Sequence, residues 1–127
     1  MDFTALIEVG QRHGLEALGF TSQRQFFNNL GLQSLIRKLL KTGCTQREIE
    51  ANMMGMLDIA KPGGMGDFKV LIQGNDISDE AIWGIESSHE VEELTEILAT
   101  PLLTRRHTPL LEGRYPYNLN TLYDPMR

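Results

Sequence analysis

Residues Leu15 to Leu32, LEALGFTSQRQFFNNLGL, decide the fold. Leu15 to Phe20 reads as a short β segment. The chain turns at Thr21-Ser22, where a hydroxyl can accept the free N–H groups of a following helix. That helix stacks Phe26, Phe27 and Leu30 on one side. Gly31 ends it, because glycine enters the left-handed conformation cheaply. A second β segment, Phe68 to Gln73 (FKVLIQ), is the best partner for the first. Its alternation is apolar on the Phe68, Val70, Ile72 side, and Leu71 suggests partial cover on the other. The expected body is therefore two strands with helices around them.

Four further helices fit the pattern on either side. The first is capped by Asp2 or Thr4, carries Phe3, Leu6, Ile7 and Gly10 at helical spacing, and stops at Gly14. Another runs from about Gln33 to Lys41, with Leu35, Ile36, Leu39 and Leu40 inward. Its Arg37, Lys38 and Lys41 suit the C-terminal dipole, and Gly43 ends it. Thr45-Gln46-Arg47-Glu48 is a capping box. It opens a helix with Ile49, Met53, Met56 and Leu57 on one stripe. Pro62-Gly63-Gly64 forms a loop before the second strand. Ser87 or Ser88 caps a last helix reaching about Ala99, with Val91, Leu94, Ile97 and Leu98 as its apolar side. Thr108-Pro109 opens one more helical turn, ending at Gly113, and nothing in the tail from Tyr115 is periodic.

The chain has 127 residues, 41% of them hydrophobic, enough for one domain and an ordinary core. The formal charge of −5 argues against nucleic-acid binding, which needs a basic face. Residues 1–74 carry eight Lys/Arg against seven Asp/Glu, and residues 75–127 carry four against ten. That shift divides the chain into a balanced body, 1–74, and an acidic extension, 75–127. A single cysteine, Cys44, excludes an internal disulfide and fits a reducing, cytoplasmic setting. No leader pattern opens the sequence, and no apolar run approaches the ~20 residues of a membrane span.

Candidate chemistry is sparse. His13, His89 and His107 are far apart and lack metal-ligand spacing. Cys44 has no obvious base nearby in sequence. Glu90, Glu92, Glu93 and Glu96 read as a solvated helix face with acids at its N-terminus. Met53, Met54 and Met56 read as core filler ahead of an adaptable binding surface. Arg105-Arg106-His107 is too short for a basic patch. Gly63-Gly64-Met65-Gly66 precedes a strand, whereas a phosphate loop follows a strand and opens a helix. Gln23 and Gln25 stand in a core-like unit, either capping backbone groups or facing a ligand. No catalytic, cofactor-binding or metal-ligating residue emerges from these patterns.

Two blocks carry a resemblance. Asp2-Phe3-Thr4-Ala5-Leu6, Gly14-Leu15 and Gly19-Phe20-Thr21 with Gln23, Phe26, Leu30 and Gly31 form the first. Pro62, Met65-Gly66 and Phe68-Lys69-Val70-Leu71 form the second. In this order and spacing they resemble the C-terminal portion of the MidA family of S-adenosylmethionine-dependent methyltransferases. These are relatives of the mitochondrial factor that methylates an arginine of a complex I subunit during assembly. The resemblance covers about residues 2–74. It implies an α-rich α/β fold: the last two antiparallel strands and inserted helices of a class I methyltransferase sheet, followed by the acidic extension. In the family the last strand lies between the fifth and sixth, so one edge of residues 68–73 would lack its neighbour here. The glycine-rich loop, the acid on the ribose and the catalytic pocket lie upstream of the matched region in the family. No catalytic or cofactor residue therefore carries over. Gln23, Met65 and Gly66 match family positions whose role is unassigned. S-adenosylmethionine is the cofactor of the full-length family, with none expected for this chain alone. Implied partners are an N-terminal methyltransferase half, a complex I/NDH subunit, or a second copy paired through strand 68–73. In the family the position of Met1 lies mid-chain. A non-catalytic interaction module derived from the same fold is the alternative, expected to be monodisperse and to melt cooperatively.

Overall fold

A computed structural model describes residues 1–77 and 81–98. It is mixed α/β, with five helices and one two-stranded antiparallel sheet among those residues. The elements are α1 (Phe3–Arg12), β1 (Glu16–Ser22), α2 (Gln23–Asn29), α3 (Leu32–Leu39), α4 (Gln46–Ile59), a 3-10 turn (Met65–Asp67), β2 (Lys69–Gly74) and α5 (His89–Ile97). His107, Arg105-Arg106, the helical turn expected after Thr108 and the tail lie outside the described residues.

The helix starts follow the local chemistry. Asp2 Oδ1 accepts the Ala5 N–H at 3.1 Å, and Ser22 Oγ accepts the Gln25 N–H at 3.2 Å. Both halves of the Thr45/Glu48 capping box are formed. Ser88, not Ser87, caps α5. Gly31 takes φ +87 and joins α2 to α3 without a side-chain cap.

β1 runs two residues further than its sequence suggests, because Thr21 and Ser22 pair with Val70 and Lys69. The register then continues through Phe20↔Leu71 and Gly19↔Ile72, and a bulge at Leu18 shifts it to Ala17↔Gln73. The Phe68 carbonyl accepts the Gln23 N–H at 2.7 Å. Alternation along the ladder then turns the backbone of Val70 and Ile72 toward β1. The backbone groups of Lys69, Leu71 and Gln73 face the other edge, which no described strand covers.

The sheet is covered on both faces. On one, Phe3 of α1 meets Phe20 with ring centroids 5.1 Å apart, and Gly10 of α1 lies against the Gln73 side chain. On the other, Ile85 lies directly over Gly19, and Ile77 with Leu18 closes over Gly74. Gly84, at φ +93, fits beneath the Phe26 ring. Asn29 Nδ2 donates to the Gly84 and Ile85 carbonyls, both at 2.9 Å.

The change in charge at residue 74 is thus not a break in packing. Residues 82–86 seal a face of the sheet, and α5 docks on α3. Thr95 sits against Gly31, and the Lys38 ammonium donates to the C-terminal carbonyls of α5 at Thr95, Glu96 and Leu98. Lys38 therefore serves the end of α5 rather than the end of its own helix.

The core is thinner than the composition suggests. Leu32, Leu39 and Val91 are the buried large apolar residues among those described. On α5 the expected apolar side is only partly inward. Val91 and Thr95 are buried, whereas Ile97 is 79% exposed and Leu98 is exposed too. On α4 the buried position is Asn52, and Leu57 points outward. A two-stranded sheet offers too little area to bury all these side chains.

Candidate functional site

Gln23, Met65 and Gly66, the positions singled out in the sequence, come together where α2 begins, α4 ends and the 3-10 turn leads into β2. Gln23 opens α2 directly from β1, so its backbone still belongs to the ladder. Its side-chain Nε2 reaches the carbonyl of Ile59, the last residue of α4, at 2.7 Å. That carbonyl is one of the groups a helix leaves unpaired at its end. Of the two readings open to Gln23, the structure supports the capping one. Gln25 instead bonds Asn29 Oδ1 at 2.8 Å on the exposed side of α2.

Gly66 is buried, and its N–H donates to the Lys61 carbonyl at 3.0 Å. A Cβ there would collide with the backbone of Ala60 and Lys61. Met65, next to it, is 45% exposed. Asp67 completes the joint. One carboxylate oxygen accepts the Gly63 N–H at 2.9 Å, and the other accepts from Arg24 Nη1 at 3.2 Å. The loop is thus folded around an acid and backed by a cation, with Gly63 in the left-handed region at φ +73.

What this joint does is mechanical. Its polar groups satisfy one another, and its acid and cation are both partly open to solvent, which keeps the ion pair weak. It holds α2, α4 and β2 in one arrangement and carries no aligned nucleophile and base. Sequence reading missed Arg24 and Asp67, which are 43 positions apart and belong to no local motif. An arginine two residues after a helix cap and an aspartate four residues after Gly63 are the only traces they leave.

Elsewhere, His89 sits on the surface between Glu92 (3.5 Å) and Glu93 (3.3 Å) of its own helix. His13 is exposed at the end of α1, and Cys44 is half-buried before the capping box. Among the described residues no three His, Cys, Asp or Glu side chains stand together as a metal site. Two hollows of about 560 Å³ open on the surface. One lies beside the start of α5 and is lined by Trp83, His89 and Glu90. The other runs along the outer face of α4 over Met53, Met54 and Leu57. No helix among the described residues is long and apolar enough to cross a membrane.

Comparison with protein-family models, curated proteins and solved structures gave no match for this chain.

Proposed function

We propose that this chain is the C-terminal segment of a MidA-like S-adenosylmethionine-dependent protein methyltransferase, serving assembly of a complex I or NDH-type respiratory enzyme in the cytoplasm. Alone it is catalytically silent. The observation that carries this reading is the edge of β2 that no described strand covers. Helix α1 lies across both strands, touching Phe20 of β1 and Gln73 of β2. The backbone groups of Lys69, Leu71 and Gln73 point away from β1 to an edge that no described strand occupies. A strand that fed α1 and ran parallel to β1 in the same sheet would enter there, antiparallel to β2. The order helix, strand, helical insertion, antiparallel strand is the one expected of the end of such a sheet. The thin core supports the same reading, since a sheet cut from a larger one leaves apolar side chains such as Phe20 and Phe68 half exposed.

The cofactor belongs to the part of the fold that holds the glycine-rich loop. Gln23, Met65 and Gly66 contribute by shaping the joint behind the sheet, with no contact to the methyl donor required. The test is calorimetric titration of S-adenosylmethionine into the isolated chain and into the chain combined with a separately made N-terminal half. The expected result is no binding heat for the first and stoichiometric binding for the second. Tight binding by the isolated chain contradicts the reading, and so does a failure of the combined halves to bind.

A further inference from the structure

Helix α4 buries one side and leaves the opposite side dressed for contact. Its inner side places the buried Asn52 toward the body, with the Asn52 amide on the Glu48 carbonyl at 2.7 Å. Its outer side presents Glu50, Met53, Met54, Leu57, Asp58 and, in the turn that follows, Lys61. Those positions recur at the three- and four-residue steps of one helical face. Met54 is 66% exposed and Leu57 51% exposed, so Met54 is not core filler here, whereas Met53 and Met56 are half-buried. Between the charged ends Met53, Met54 and Leu57 floor the shallow groove of about 560 Å³. Unbranched methionine side chains adapt their shape to an apposed surface.

The charges choose the occupant. Glu50 stands at one end of the stripe and Lys61 at the other, about 16 Å apart at the helical rise per residue. We propose that the outer face of α4 is an isologous contact between two copies of this chain, with the helices antiparallel about a two-fold axis. Two-fold pairing sets Glu50 of each copy opposite Lys61 of the other, and Met54 of each over Leu57 of the other. Apart from Asp58, which falls opposite Met53 of the other copy, the stripe is then complementary to itself, as a two-fold contact requires. A parallel arrangement would put Glu50 on Glu50 and Lys61 on Lys61. A slip of about one turn in one direction would put Glu50 opposite Asp58 and leave Lys61 near Arg47, and a slip in the other would set Lys61 over Met54 and lose both ion pairs. Like charges or lost pairs oppose all three, so the ion pairs fix direction and register more than they add affinity. One pair of short helices covers less than the ~1,200 Å² of a standard interface, so the dimer is a weak one.

This inference does not rest on the methyltransferase reading, and its test does not involve the methyl donor. Sedimentation equilibrium of the full chain is run from about 10 µM to about 1 mM, the range in which a weak contact fills. The expected mass rises from the 14.4 kDa monomer toward twice that value. Glu50→Lys and Lys61→Glu are each expected to weaken dimerisation by about tenfold or more, because each makes two like-charge contacts. The double swap Glu50→Lys/Lys61→Glu rebuilds both pairs in reverse and is expected to recover dimerisation to within about threefold of the parent. Both side chains are exposed, so the variants keep the fold. A monomer throughout the range overturns the proposal. So does association that the single reversals leave unchanged, which would move the contact to another surface such as the edge of β2. Failure of the double swap to recover dimerisation also overturns it.

Discussion

At Gly66 the backbone of the 3-10 turn runs against the backbone of Ala60 and Lys61, with no space for a methyl group. Neither neighbour is the free end of a flexible side chain, so the strain of Gly66→Ala has nowhere to relax. The expected cost is about 1–3 kcal/mol, read as a lower urea midpoint at unchanged slope. An unchanged midpoint would show that the joint between α4 and β2 gives way easily. Lys38 is the second residue on which much depends, since its ammonium caps the end of α5 from another helix. Lys38→Met keeps the apolar stem and removes the charge. The expected result is faster amide exchange across His89–Ile97, with the protection of α4 retained. Equal protection in parent and variant would mean that Val91 and Thr95 suffice to hold α5. Neither role was legible in the sequence. A glycine in a glycine-rich turn looks like a turn residue, and a lysine in a last helical turn looks like a dipole partner. Only the fold brings Ala60 over Gly66, or α5 within reach of Lys38.

The elements themselves were largely legible, because their signals are local. Asp2, Ser22, the Thr45/Glu48 box and Ser88 each satisfy helix donors three residues or fewer away, so the cap is written where the helix begins. The antiparallel pairing of the two β segments was also expected; β1 ends two residues later than expected, where Thr21 and Ser22 extend the ladder before the cap takes over, and β2 lies one residue further on, at Lys69–Gly74. Which side of each helix faces inward was less legible. Periodicity put Leu57 on one stripe of α4 with Ile49, Met53 and Met56, yet Leu57 is exposed and the polar Asn52 is buried instead. On α5, Thr95 takes the inward place because Gly31 leaves a recess for its methyl group, while Ile97 stays outside. The change in charge after Gly74 suggested a separate extension, yet Ile85 and Asn29 join residues 82–86 to the sheet and to α2. Charge reports what faces water, and it carries no information about which apolar residues between the acids face the body.

At the scale of the whole molecule, the described residues form a two-stranded sheet held between α1 and the segment 82–86, with a core of three fully inward apolar side chains. Isolated pairs of strands are marginal, and their stability depends on what packs against them. Among the described residues nothing pairs with the outer edge of β2, which bears no proline and no bulge, and the exposed Lys69 at its start is the one charge there to discourage pairing. An edge of that kind is what a sheet presents where a neighbouring strand belongs. The central claim is that this chain is the closing part of a larger methyltransferase sheet, and the coding sequence upstream of Met1 tests it most directly. Reading that DNA is expected to show an open frame continuing in phase and encoding a strand followed by a glycine-rich loop. An in-phase stop codon with no such coding sequence nearby would contradict the claim and leave the non-catalytic interaction module as the reading to pursue.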